Sequence, residues 1–181
     1  MIKVAIVGNI ASGKSTVEEI LTKNGFKVYD TDKIAHNIVE NDTKIEKTFG
    51  TNDRKALAKI VFSDKNKLKL LESIVHPKVK SELETIFLSS ENIVFISVPQ
   101  LFEAGFENLF DKIIYITADR ETRINRLLKR NNYSREEAIV RINAQEEKNK
   151  AEISDFIIEN NLDLNTLENN VLKIVQSILV G

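Results

Sequence analysis

The residues that most restrict what this chain can fold into are its first sixteen, M-I-K-V-A-I-V-G-N-I-A-S-G-K-S-T. Ile2 to Val7 is apolar but for Lys3 and reads as a buried parallel strand. It stops at Gly8, and from there to Ser15 the spacing is G-x-x-x-x-G-K-[ST], the signature of a phosphate-binding loop. Gly8 and Gly13 permit backbone conformations that a Cβ resists, so successive N–H groups can turn inward around an anion. Asn9, Ile10, Ala11 and Ser12 form the turn between them. Lys14 supplies a flexible positive charge for the β- and γ-phosphates of a nucleotide, and the Ser15 hydroxyl can join the coordination shell of Mg²⁺. From Lys14 and Thr16 onward, T-V-E-E-I-L-T-K has helical character, so a helix N-terminus points its partial positive charge at the phosphates. Strand before and helix after are the two contexts that distinguish this motif from a chance turn. The pattern predicts nucleoside triphosphate binding.

A chain of 181 residues suits one ordinary domain with a real core. Its net charge of −1 provides no global field for nucleic acid or an anionic membrane, so any anion site is local. The absence of cysteine excludes disulfides and thiolate zinc sites. No apolar run approaches a membrane span, and a core strand beginning at Ile2 is not a signal sequence, so the expected location is cytoplasmic. Strand-like runs at Ile2–Val7, Phe26–Tyr29, Ile93–Val98, Ile113–Thr117 and Phe156–Ile158 alternate with helical segments. That alternation predicts an α/β fold of three layers around a five-stranded parallel sheet. With six glycines and two prolines, no flexible linker divides the chain. The strand-free interval of about 31–91 is too long for a simple crossover and reads as a helical insertion; about 120–150 reads as an arginine-rich helical lid. The core is then about 1–30, 92–119 and 151–181.

Ligands of open parallel sheets sit beyond the carboxyl ends of the strands, which directs attention to D-T-D after the second strand. Asp30 and Asp32 are candidates for accepting or orienting the proton of an attacking hydroxyl; equally, Asp30 or Thr31 can cap the following helix. Asn52 or Asp53 caps the next helical run, and His76-Pro77 is expected as an extended dipeptide between helices. The third strand runs into V-P-Q-L-F-E, without the acid of a Walker B motif, and neither D-x-x-G nor N-K-x-D occurs. Mechanochemical ATPases and GTPases are thereby disfavoured. Glu103 is either a helix-side carboxylate or a site residue. Arg120, Arg123, Arg126 and Arg130 recur at helical spacing. Of the arginines, Arg123, Arg126 and Arg141 are the candidates for cations on a transferring phosphoryl group, while Arg130 fits a solvated face. Asn160 and Asn161 follow the fifth strand, where the adenine of a nucleotide is expected. A nucleoside monophosphate kinase and a non-catalytic nucleotide-dependent module share the loop and stand as alternatives.

Several segments together resemble one family, the dephospho-coenzyme A kinases: G-N-I-A-S-G-K-S-T, D-T-D-K-I-A, D-R-K-A-L-A-K-I-V-F, L-E-S-I-V-H-P, V-P-Q-L-F-E, R-I-N-A-Q and S-D-F-I-I-E-N-N. The resemblance runs nearly the full length. It implies transfer of the ATP γ-phosphate to the ribose 3′-hydroxyl of dephospho-coenzyme A; Mg²⁺ is the expected cofactor, and a monomer or weak oligomer the expected state. Asp32 then matches the proposed catalytic aspartate, Lys14 and the loop amides hold the triphosphate, and Arg141 matches a lid arginine approaching the phosphates. Asn160 falls in the adenine-adjacent turn, and His76 sits on the substrate side. Asn9 and Ala11 replace two glycines common in the family, while the required ones remain; Lys148 and Lys150 stand where the family has an arginine, so no role is carried to those two lysines.

Overall fold

The computed structural model describes residues 1–131, 133–145 and 150–180. It divides into two compact units, Met1–Tyr29 with Asn92–Gly181, and Asp30–Glu91.

The first unit is built on the sheet. Strands β1 (Ile2–Gly8), β2 (Val28–Asp30), β3 (Ile93–Ser97), β4 (Lys112–Thr117) and β5 (Phe156–Glu159) stand in the order β2-β3-β1-β4-β5. β1 pairs in parallel with β3 and with β4, and β4 pairs in parallel with β5. Val4 to Val7 are at most 2% exposed, so both faces of the central strand are covered, as its nearly continuous apolar run requires. Helix α1 (Lys14–Lys23) buries Val17, Ile20 and Leu21, one stripe at helical spacing. They join Val4, Ile6, Phe95, Ile114, Ile116 and Ile158 of the sheet. The C-terminal helix, Leu164–Val180, adds Leu167, Val171, Val175 and Ile178 to the same core.

The second unit contains helices α2 (Thr31–Asn41), α3 (Thr43–Phe49), α4 (Arg54–Phe62) and α5 (Lys65–Ser89). Each starts at an aspartate whose carboxylate accepts backbone N–H groups of the first turn: Asp30, Asp42, Asp53 and Asp64. Asp53, not Asn52, therefore caps α4; Asn52 donates instead to the Glu40 carbonyl at 2.7 Å. One expectation is overturned. His76-Pro77 is no break between helices, because α5 runs through it as a single helix of 25 residues. Proline inside a helix removes a backbone donor and crowds the preceding turn, at roughly 3 kcal/mol. Burial of Ile74, Val75, Val79, Leu83 and Phe87 on either side of it offsets that cost, each such side chain contributing about 1.5–3 kcal/mol.

Asp42 is buried and pairs with Lys78, which holds its carboxyl below the ordinary carboxylate value. An acid so depressed stabilises the fold above the unfolded-state pKa, and the contribution is lost as pH falls through the lower folded value. Asp42→Asn keeps an N-cap for α3 but removes the charge. We expect it to melt lower than the parent at pH 7 and to lose less on acidification from pH 5 to pH 2, as followed by circular dichroism.

Within the stretch of about 120–150 read as helical stand two helices, α6 (Arg120–Asn131) and α7 (Arg135–Asn143). Ser134 caps α7 in a reciprocal arrangement with Glu137. Ile124, Leu127, Ala138 and Ile142 form a small core between the two helices, and Ile10 and Ala11 of the loop after β1 pack against it.

Candidate functional site

The loop from Gly8 to Thr16 owes its shape to contacts that its own sequence specifies only in part. Gly13 is in the left-handed region at φ 96°, and a Cβ there lies 2.0 Å from Asn160 Nδ2. At Gly8 a Cβ lies 2.7 Å from Ser12 Oγ and 3.0 Å from the Ile116 carbonyl. Packing therefore requires both glycines, and backbone freedom is required at Gly13 alone. Gly13→Ala should destabilise the fold by about 2 kcal/mol, from the left-handed strain and the displaced Asn160 amide. Chemical denaturation measures this directly. Ala11 also has positive φ, 60°, the one such non-glycine among the described residues.

The loop carbonyls are held from outside. Arg123 Nε donates to the Ile10 carbonyl at 2.9 Å. Arg126 Nη1 donates to the carbonyls of Ala11 (3.2 Å) and Ser12 (3.1 Å), and its Nη2 to that of Asn160 (2.8 Å). Asn160 Nδ2 donates to the Ser12 carbonyl at 2.8 Å. In a planar trans peptide the carbonyl and the next N–H point opposite ways. Holding the Ile10 and Ser12 carbonyls thus turns the N–H groups of Ala11 and Gly13 away from the arginines. The N–H groups of Lys14 and Ser15 open α1 and have no intrahelical acceptor, and no side chain caps that helix. Thr16 N–H returns to the Gly13 carbonyl at 3.0 Å. Uncapped helix start and aligned amides make a site for an anion.

Lys14 Nζ reaches Glu18 Oε1 at 2.7 Å and also donates to Ser97 Oγ. Ser97 is fully buried at the last position of β3. Neither partner was expected, although Glu18 stands one helical turn after Lys14. Asn9 Nδ2 donates to the Tyr115 hydroxyl at 3.0 Å, while Asn9 Oδ1 and Ser12 Oγ are buried without a protein partner among the described residues. Exposed Ser15 stands in the first turn of α1, which contains no acidic residue. No group of three or more acidic, histidine or cysteine side chains among the described residues could hold a metal by itself. The exposed Ser15 hydroxyl is an oxygen donor of the kind a hard cation such as Mg²⁺ takes.

The other expected residues fall as follows. Arg123 and Arg126 do not present their guanidinium groups as free cations: the hydrogen bonds above commit them to loop carbonyls, which the spacing of α6 could not disclose. Exposed Arg141 on α7 lies over the Tyr133 ring, 4.4 Å from its centroid. Glu103, in the turn after β3, is 3.7 Å from the ammonium of buried Lys150. Lys148 lies outside the described residues. Asp30 uses its carboxylate on the Asp32 N–H at 2.8 Å, so capping is its observed role. Asp32 is exposed in the first turn of α2. His76 is half-buried within α5.

A five-stranded parallel sheet whose first strand opens through an amide-lined loop into an uncapped helix defines a P-loop kinase fold. The family model described as dephospho-CoA kinase matches residues 2–166. A dephospho-CoA kinase of Listeria innocua is 37% identical over 190 residues, covering 96% of this chain and 95% of its own. A solved structure from Thermus thermophilus is 37% identical with a TM-score of 0.88, over 99% of this chain and 98% of its own. The solved dephospho-CoA kinase of Campylobacter jejuni is 34% identical with a TM-score of 0.76, over the same shares of the two chains. The chain belongs to the dephospho-CoA kinase family, whose members are ATP-dependent phosphotransferases.

Proposed function

We propose that this chain transfers the γ-phosphate of ATP to the ribose 3′-hydroxyl of dephospho-coenzyme A, giving coenzyme A and ADP. The observation that carries the reading is the loop itself. Its carbonyls are fixed outward by Arg123, Arg126 and Asn160, leaving amides and Lys14 for a triphosphate, in a chain of this family. The acceptor oxygen bonds to the γ-phosphorus as the bond to the β–γ bridging oxygen breaks, and ADP leaves with that oxygen. Asp32 takes the hydroxyl proton, and Lys14 and Arg141 offset charge on the phosphoryl oxygens. Gly8 to Thr16 hold the phosphates, with Asn160 beside the adenine. Ser15, with the nucleotide, would hold Mg²⁺, which would supply neutralisation of phosphate charge.

In this reading residues 31–91 serve the acceptor, with Asp32 and His76 from that region and Glu103 from the core, and about 120–150 is the lid. No helix among the described residues is long and apolar enough to cross a membrane. We place the enzyme in the cytoplasm as a monomer or weak oligomer. An acceptor panel tests the substrate assignment. ADP release should be stimulated by dephospho-coenzyme A and not by AMP, CMP or UMP; stimulation by a monophosphate alone would reassign the acceptor.

A further inference from the structure

The segment R-I-N-A-Q ends in a glutamine to which the chemistry above gives no task. Gln145 lies just beyond α7, half-buried, and its Oε1 accepts the Ile10 N–H at 2.6 Å. The Ile10 carbonyl accepts from Arg123 Nε at 2.9 Å. Both backbone groups of Ile10 are thus held by side chains more than 110 residues away in sequence, while Ile10 itself packs against the core between α6 and α7.

Two consecutive peptide planes are fixed in this way. Holding the Ile10 N–H turns the Asn9 carbonyl the opposite way, where it accepts the Ser12 N–H at 3.1 Å and closes the turn. Holding the Ile10 carbonyl sets the direction of the Ala11 N–H. The next residue, Ala11, is the one whose φ of 60° an alanine resists, so the turn needs restraint that its own sequence does not provide.

We propose that Gln145 is a positioning residue for phosphate recognition: it orders the Asn9–Ile10 peptide so that the loop amides are aligned before the nucleotide arrives. It touches no reacting atom. The role rests on the loop being the triphosphate site of the proposed function.

Gln145→Met keeps the length and the apolar stem while removing the acceptor. Calorimetric titration with MgATP and with adenosine separates alignment of the loop from general loosening. The affinity for ATP should fall about tenfold, the scale of one lost hydrogen bond, while that for adenosine stays within twofold. Amide hydrogen exchange should accelerate at Ile10 and not at Ile6 in β1. Equal loss for both ligands, or no loss for either, would overturn the positioning role. Because the readouts are binding and exchange, a parent protein that binds ATP but ignores dephospho-coenzyme A contradicts the acceptor assignment alone. A parent that binds no ATP contradicts both.

Discussion

Lys14→Ala should weaken MgATP binding at least tenfold and lower kcat by about 10²–10³, the usual cost of removing one cation from a phosphoryl-transfer site. The effect has two sources. The ammonium proposed to meet the β- and γ-phosphates is lost. In addition, Glu18, 2.7 Å from that ammonium, is left without its counter-charge one turn along the helix proposed to receive the anion. Lys14→Ala combined with Glu18→Gln should therefore recover part of the ATP affinity and little of kcat. Steady-state kinetics beside equilibrium titration separate these contributions. An unchanged ATP affinity in Lys14→Ala would remove the loop from the nucleotide site.

Asp32→Asn should act on turnover alone. Amide and carboxylate are nearly isosteric, and the Asp32 backbone N–H that Asp30 caps is retained, so α2 should start normally. MgATP affinity should stay within twofold, while kcat falls about 10²–10⁴, the range of a lost general base. A kcat within threefold of the parent would assign proton removal elsewhere. Since Asp32 is exposed at the start of α2, its substitution should leave the melting temperature within a few degrees.

The phosphate loop was legible because its information is local. Gly8, Gly13, Lys14 and Ser15 form a recognisable spacing between a strand and a helix, although the contacts that shape the turn come from Ile116, Arg123, Arg126 and Asn160. The caps Asp30 and Asp53 were legible for the same reason, each beside one alternative, whereas Asp42, Asp64 and the S-R-E-E capping box at Ser134 to Glu137 that divides α6 from α7 were not foreseen. Longer-range matters were not. Helical spacing placed Arg123 and Arg126 on one face but could not say that this face meets the loop carbonyls, a fact of tertiary packing. Proline at position 77 suggested a break by local rules, and burial on both sides of it overrode them. Ser97 gave no hint of a bond to Lys14, which joins residues 83 apart in sequence. Gln145 was visible as part of a family segment, without the partner that explains it.

The central claim is that a carboxylate directs a sugar hydroxyl onto a phosphate gripped by the amino-terminal loop. ³¹P NMR of the reaction of purified protein with MgATP and dephospho-coenzyme A tests it most directly, since the site of phosphorylation is read from coupling to the ribose proton. The account predicts a new monoester resonance coupled to the 3′ proton, appearing in equal amount with ADP. ADP formed without that resonance, or a monoester at the 2′ position, would contradict it.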